Sequence, residues 1–395
     1  MRNFIKALVH DFIKSIRKAD LVLLSLCAFA SCFSCLMVAS ATNATGSLRN
    51  VIVQIIAMIL GIFLYLLVSN IDADFFSEYR VILTILSLAF ISMLWPFGVN
   101  IGGNRSWIPV PLLGMNVQPA EFCKISFILI MASVMASHQR ELSKPYPSIV
   151  HIGAYVGVFL VLNIAASGDW GVSLIFVAIF VGMAWTAGVS KWWFFGAISM
   201  MIVGIPVVWP HLPEYQRQRI EVIFNPDLDP SGIGIRYHTI RSLRSLTGGG
   251  LTGQGLFNGI RTQTPDVLPA QHTDYIFSAI GEELGYVGCV FVLILLFAIV
   301  IRCIWVGNRS GDFMRKLICY GAASALMFQT IVNIGMCIGI MPVIGLTLPF
   351  MSYGGSSLVT LYAMVGLVSG VYARPDAPSH QRYVRPPNYS RFQLH

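Results

Sequence analysis

The stretch Val51-Ile52-Val53-Gln54-Ile55-Ile56-Ala57-Met58-Ile59-Leu60-Gly61-Ile62-Phe63-Leu64-Tyr65-Leu66-Leu67-Val68-Ser69 decides the fold. It carries no charged side chain over 19 residues, and its apolar residues fall on every face rather than along one stripe. In water such a helix would have no polar side to present. Hydrocarbon accepts it but offers no partner for backbone N–H and C=O groups, so the segment must satisfy them internally, as a helix. Its helical length of about 28 Å is close to the thickness of a bilayer's hydrocarbon core.

Runs of this kind recur outward in both directions. They cover residues 21–41, 51–69, 81–97, 122–137, 148–166, 170–189, 192–210, 275–301, 317–341 and 348–372. A transmembrane β-barrel is excluded, because its strands would alternate in polarity over about ten residues. The chain is 56% hydrophobic and 11% charged, where a soluble domain carries roughly 25% charged residues. The expectation is an all-α polytopic membrane protein. About ten transmembrane helices fill residues 21–372, after a cytoplasmic segment 1–20 and before a cytoplasmic tail 373–395. That tail is polar, with Pro378, Pro386 and Pro387, and is expected to be disordered. No internal repeat is visible, which weakens an inverted-repeat transporter reading.

The formal net charge is +8, but the basic residues sit in short connections and tails. They read as topology signals and contacts to membrane lipids rather than as a nucleic-acid surface. With the N-terminus inside, cytoplasmic segments hold 17 Lys and Arg, and the short external loops hold only Arg49 and Arg105. Both termini are then cytoplasmic, and residues 211–274, between the seventh and eighth spans, form a long extracellular loop. A structureless loop of that length is uncommon and usually functional. It carries six basic and six acidic residues. The eight cysteines show no CxxC spacing, so neither a zinc site nor a redox pair is supported.

Few ionisable groups lie in or beside the apolar runs, and such groups are functional candidates. Glu121 and Lys124 are three apart on one helix face, so a mutual salt bridge competes with a substrate role. Asp169 opens the sixth span, where an acid can also serve the helix dipole. Asp274 ends the long loop, in His272-Thr273-Asp274-Tyr275. Glu282 lies about 12 Å further along that helix and about 80° around it, with Glu283 expected on the opposite side. Gly248-Gly249-Gly250-Leu251-Thr252-Gly253 imitates a dinucleotide fingerprint, but no βαβ unit surrounds it, so it is a loop. His238 and His272 lack metal-ligand spacing.

Four segments together resemble the SEDS family (shape, elongation, division and sporulation), of the RodA and FtsW type. One is Leu268-Pro269-Ala270-Gln271-His272-Thr273-Asp274-Tyr275-Ile276-Phe277 with Gly281-Glu282-Glu283-Leu284-Gly285, similar to the family's LPExHTDFIF…EELG. The others are Leu348-Pro349-Phe350-Met351-Ser352-Tyr353-Gly354-Gly355, then Asn104-Arg105-Ser106-Trp107 with Gln118-Pro119-Ala120-Glu121, and Asn225-Pro226 with Asp229-Pro230-Ser231-Gly232. Asn333-Ile334-Gly335-Met336 and Met341-Pro342-Val343-Ile344-Gly345 look more like the rod-shape member than the division member. Ala270 replaces the usual Glu, and Ser167-Gly168-Asp169 replaces the usual Gln-Pro-Asp.

The resemblance implies a peptidoglycan glycosyltransferase of the bacterial plasma membrane. It would join the 4-hydroxyl of one GlcNAc to the anomeric carbon of MurNAc in lipid II, releasing undecaprenyl pyrophosphate. Asp274 would be the general base, at the membrane's outer edge. Arg49, Arg105 and Lys124 would meet the pyrophosphate. Gln118, Glu121, Asp169, His272, Thr273, Glu282 and Ser352 would complete the substrate site. A divalent cation, Mg or Mn, is compatible with a pyrophosphate leaving group. The implied partners are a class B penicillin-binding protein and other elongation or division machinery. A lipid II flippase is the competing reading; it needs no base at a loop end. A scaffold that only recruits a transpeptidase is the third.

Overall fold

The computed structural model describes residues 18–43, 46, 48–101, 104–110, 115–140, 142, 148–211, 214–230, 232–265, 267–268 and 270–374. The expected segment 1–20 up to residue 17, most of the expected disordered tail, and the motif residues Ser231 and Pro269 lie outside them. Every apolar run read from the sequence is wholly or largely helical. In chain order the first helices are α1 (Leu21–Asn43), α2 (Leu48–Ser69), short α3 (Ala73–Glu78), α4 (Arg80–Ser92) and short α5 (Leu94–Phe97). Next come α6 (Pro119–Ser137), α7 (Ser148–Ser167), α8 (Trp170–Thr186) and α9 (Lys191–Val208). The last are α10 (Glu214–Phe224), α11 (Tyr237–Gly248), α12 (Ile276–Arg309), α13 (Phe313–Cys337) and α14 (Gly355–Tyr372). Among the described residues eight helical spans are long and apolar enough to cross a membrane, with α4 and α5 forming one of them. The apolar helices α8 and α9 fall short of that length. The chain is a multi-pass membrane protein.

α14 and α6 are the most buried of the spans and form the centre of the bundle. α14 lies along α2, and small residues permit the close approach. A Cβ on Gly61 would fall 2.4 Å from the Tyr362 ring, and one on Gly366 would fall 3.0 Å from the Tyr65 carbonyl oxygen. At the end of the bundle away from residues 211–274, Asp20 binds Arg302 through both carboxylate oxygens at 2.9 Å. It also takes the Tyr65 hydroxyl on its carbonyl and donates its N–H to Ser369. One residue thus ties α1, α2, α12 and α14 together and keeps a buried charge paired.

The structure departs from the sequence reading in three places. Residues 348–354 are not helical: Phe350 has φ 59°, Pro349 precedes it, and α14 starts only at Gly355. The described residues of 211–274 are not structureless, since they include the helices α10 and α11. Finally, residues 99–101, 104–110 and 115–117 form a small antiparallel sheet in a chain expected to be all helical. Its strands β1 (Val99–Ile101), β2 (Asn104–Val110) and β3 (Met115–Val117) run in that order and close on α6. The run between α5 and α6 carries Gly98, Gly102, Gly103, Pro109, Pro111 and Gly114, which disfavour a helix, and its strands pair with one another instead.

Candidate active site

Asp274 is delivered by a tight turn. Ala270 adopts the left-handed conformation (φ 50°), and its carbonyl accepts from Thr273 N at 3.1 Å, Tyr275 N at 3.2 Å and the Thr273 hydroxyl at 3.2 Å. Strained non-glycine backbone of this kind marks sites that the surroundings over-determine. Three consecutive carbonyls are then pinned from outside the turn. That of His272 takes Tyr353 N at 2.7 Å, that of Thr273 takes the Ser352 hydroxyl at 2.6 Å, and that of Asp274 takes Asn333 Nδ2 at 2.8 Å. Asn333 also holds the Leu346 carbonyl at 2.7 Å, and Gln54 grips Ser352 O and Gly354 N.

The backbone is fixed while the side chain is left open. Among the described residues none donates to the Asp274 carboxylate, and it does not cap α12, whose N-cap is Tyr275. It faces Gly345, where a Cβ would lie 3.8 Å from Oδ2. Burial pushes its carboxyl up to about 6, with no neighbouring charge contributing. Burial also lowers the pKa of His272, so that ring is held neutral beside Tyr353, 5.5 Å away centre to centre. Ser352 and Thr273 therefore position the turn, their hydroxyls being spent on backbone. Arg49 is exposed and lies close enough to Tyr353 to act on its hydroxyl.

Asp169 belongs to a second cluster. Its Oδ1 caps α8 through Val172 N at 3.1 Å, and its Oδ2 takes Gln118 Nε2 at 3.1 Å and the Ser106 hydroxyl at 3.2 Å. Burial raises its pKa and these donors partly offset the rise. Its role here is to clamp the β-sheet and the start of α6 onto α8. Glu121 and Lys124 form a buried ion pair at 2.8 Å, with Ser357 and Thr360 of α14 donating to the other carboxylate oxygen. The two clusters meet through residues 344–346. A Cβ on Gly171 would lie 2.8 Å from Ile344 O, the Leu346 carbonyl is held by Asn333, and Gly345 faces Asp274.

Residues 257–263 reach the carboxylates of both Glu282 and Glu283, and Glu282 is not open to a substrate. Glu282 is fully buried and accepts from Arg261 N, Thr262 N and the Thr262 hydroxyl at 2.8–3.1 Å. Glu283 takes the Ser40 hydroxyl, Gln263 and Phe257 N. Just beyond them α12 breaks at Gly285, whose φ is 68° and ψ −164°. A break frees backbone groups that a membrane cannot satisfy, and residues 249–263 fold over it. Gln254 and Gly255 donate to the carbonyls of Glu282 and Glu283, while Gly250 and Leu251 accept from Tyr286 and Val287. The glycines of the run allow this contact: a Cβ on Gly249 would sit 1.9 Å from Gly281 O, and one on Gly253 2.1 Å from Glu283 O. The nucleotide lookalike is thus a plug for a broken helix.

Arg105 is exposed, but its guanidinium already serves Gly98 O at 2.9 Å and Trp95 O at 2.7 Å. The expected cations are therefore split among three places: Arg49 near Tyr353, Arg105 on the sheet, and Lys124 in the core. Asn333 and Gln54 were missed as site residues. Each is an uncharged polar side chain within an apolar span, the only signal available in sequence.

A family model described as a cell cycle protein, FtsW/RodA/SpoVE, matches residues 17–375. The peptidoglycan glycosyltransferase MrdB of Escherichia coli K12 is 32% identical over 317 residues, 79% of this chain and 83% of that one. The probable peptidoglycan glycosyltransferase FtsW of Hydrogenovibrio crunogenus is 31% identical over 318 residues, 80% of each chain. A solved structure described as "Structural coordination of polymerization and crosslinking by a peptidoglycan synthase complex" superposes with a TM-score of 0.77. It is 26% identical and covers 91% of this chain and 99% of that one. RodA of Thermus thermophilus superposes with a TM-score of 0.66 at 22% identity, covering 91% of this chain and 98% of that one, which shows the shared fold.

Proposed function

The chain belongs to the FtsW/RodA/SpoVE family of cell cycle proteins, and on that footing we propose how it acts: it is a peptidoglycan glycosyltransferase that polymerises lipid II, with Asp274 as general base. The observation that carries the base assignment is the Asp274 carboxylate itself. Its main chain is locked, no described residue donates to it, and burial alone sets its pKa at about 6. Such a group is ionised at neutral pH yet basic enough to take a proton from a sugar hydroxyl in the transition state.

In the step, the Asp274 carboxylate removes the proton from the acceptor's GlcNAc 4-hydroxyl. That oxygen bonds to the anomeric carbon of MurNAc in the donor. The bond from that carbon to the pyrophosphate breaks, and its electron pair leaves with undecaprenyl pyrophosphate. Direct attack inverts the anomeric centre and needs no second carboxylate nucleophile. Asp169 and Glu282 are each saturated by other donors, which leaves Asp274 as the open acid among the sequence-derived candidates. The described residues hold no group of three His, Cys, Asp or Glu placed to ligate an ion. A magnesium or manganese ion would be held mainly by the oxygens of the pyrophosphate itself.

The base would work at the outer face of the bacterial plasma membrane, with both termini inside. The Lys and Arg bias supports this, as does the placement of the described chain ends together, at the end away from Asp274. A cysteine at the exposed Ile233, with native cysteines removed, should react with an impermeant thiol reagent in intact protoplasts. Reaction only after lysis would reverse the orientation. A role in elongation follows the rod-shape-like run Asn333–Gly345. A class B penicillin-binding protein is the proposed partner, supported by the similar chain in a peptidoglycan synthase complex. The decisive assay is purified protein with lipid II, glycan strands being read on a gel. Strands from wild type and none from Asp274→Asn are expected; strands from both would remove Asp274 as the base.

A further inference from the structure

Along the lipid-facing side of α12 the side chains change from apolar to aromatic to cationic. Ile294, Ile301, Trp305 and Arg309 fall within about 80° of one another around that helix. Ile294 and Ile301 are 64% and 62% exposed. Trp305 is half-buried, and Arg309, the last residue of the helix, is exposed. We propose that this end of α12, with the start of α13, is a headgroup site for an anionic phospholipid, in which Arg309 and Lys316 hold the phosphate beside Trp305 and Tyr320. The site lies at the end of the bundle away from Asp274 and does not depend on the glycosyl-transfer reading.

The ion pairs at this end leave two cations over. Arg302 is held by both carboxylate oxygens of Asp20, and the buried Arg315 pairs with Asp72 at 3.0 Å. Asp312, the acid of the turn joining α12 to α13, is buried, and its Oδ1 caps α13 through Arg315 N at 2.9 Å. Among the described residues Arg309 and Lys316 have no carboxylate partner, and their side chains lie against rings instead. The Arg309 guanidinium is 4.0 Å from the centre of the Trp305 ring, and Lys316 Nζ is 5.9 Å from that of Tyr320. Trp305 also carries the Arg302 guanidinium at 4.0 Å. Two guanidinium groups on one indole are thus answered by the single carboxylate of Asp20. Stacking occupies the face of a guanidinium and leaves its N–H edge for an acceptor.

The packing of α12 on α13 brings the two cations to one contact. A Cβ on Gly307 would lie 2.9 Å from the Cys319 Cβ and 3.4 Å from Lys316 O, and Asn308 Oδ1 accepts from the Tyr320 hydroxyl at 2.8 Å. Arg309 is the chain neighbour of Asn308, and Lys316 stands one turn before Tyr320. Trp and Tyr concentrate where a membrane meets water, and Lys and Arg there attract anionic headgroups. Ile301 is about 12 Å along the axis from Arg309, so a lipid whose phosphate meets Arg309 has its acyl chains against Ile301 and Ile294. That continuity favours a lipid over a soluble phosphate, which has no use for the apolar stripe. The uncompensated charge favours an anionic lipid over phosphatidylcholine, whose choline brings a positive charge of its own. Asp20 precedes α1, and Tyr372 of α14 stacks on Trp305 with centres 6.4 Å apart. An occupied site therefore braces the ends of α1, α12 and α14 together.

The test is binding of fluorescently labelled phosphatidylglycerol to the purified full chain in neutral detergent, with equally labelled phosphatidylcholine and unlabelled inorganic phosphate as comparison probes. Each basic residue beside an anionic lipid contributes about fivefold in affinity, so wild type should prefer phosphatidylglycerol by about tenfold or more. Arg309→Gln and Lys316→Gln should each weaken phosphatidylglycerol about fivefold, and the double variant should bind the two lipids alike. Arg309→Lys, which keeps the charge but not the planar fork, should lose less than Arg309→Gln. All variants should melt close to wild type without added lipid, and phosphatidylglycerol should raise the Tm of wild type but not of the double variant. Equal affinity of wild type for the two lipids, or an unaltered preference in the double variant, would overturn the proposal. Full displacement by inorganic phosphate would overturn it too, by giving the cations to a soluble anion. Glycan synthesis has no part in these readouts, so their outcome is separate from that of Asp274→Asn.

Discussion

Asn333 donates its side-chain amide to the main-chain carbonyl of Asp274 at 2.8 Å and leaves that residue's carboxylate untouched. The same amide holds the Leu346 carbonyl at 2.7 Å, so one buried side chain sets the distance between the base and the segment facing it. Asn333 is a positioning residue. Asn333→Ala should lower kcat by about tenfold to a hundredfold, because misplacing a base by a fraction of an ångström is costly. KM for lipid II should change little, and the acid limb of the pH profile should stay near 6. A profile shifted toward 4, or a pure KM effect, would rule out positioning.

Asp274 carries a second, thermodynamic signature. Its folded-state pKa is raised, so the stability it contributes is present below the unfolded value near 4 and is lost as pH rises through 6. At neutral pH the ionised form therefore costs stability, on the order of 2 kcal/mol. Asp274→Asn should abolish polymerisation yet melt higher than wild type at pH 7.5, and the difference should vanish near pH 4. For wild type, kcat/KM should fall about tenfold per pH unit below 6. A mutant that melts lower at neutral pH would show that the carboxylate has a partner after all.

The Glu121–Lys124 pair tests a residue that sequence assigned to the substrate. Both side chains are buried and paired at 2.8 Å. Lys124→Ala should destabilise by about 3–5 kcal/mol, because it strands a buried carboxylate. The double variant Glu121→Gln with Lys124→Met should restore most of that loss. If the double variant polymerises at near-wild-type rate, Lys124 is a core ion pair. A refolded, stable double variant with no activity would return Lys124 to the substrate.

Gly253 is where the plug over the broken helix is tightest. A Cβ there would lie 2.1 Å from Glu283 O, and its φ of 82° is unfavourable for any other residue. Gly253→Ala should lift residues 249–263 off α12 and expose four backbone groups. The expected readout is faster hydrogen exchange at Tyr286 and Val287 and a lower melting temperature. Unchanged exchange at those two amides would mean that the break satisfies itself without the loop.

Much was legible without coordinates. Runs such as 51–69 are apolar on all faces, and a bilayer leaves such a run one conformation, because its backbone has no other partner. The long interval between the seventh and eighth spans was visible for the same reason, and Asp274 stood out as an acid at its end. Side-chain accounting was not legible in this way. Glu282, Asp169 and Asp274 look alike in sequence, as acids beside apolar helices. Only the tertiary structure shows that Glu282 holds residues 261–262, Asp169 holds Ser106 and Gln118, and Asp274 has no described donor. Periodicity and hydropathy depend on near neighbours along the chain. A hydrogen bond such as Asn333 to Asp274 joins residues 59 apart, and it forms only once the bundle has packed.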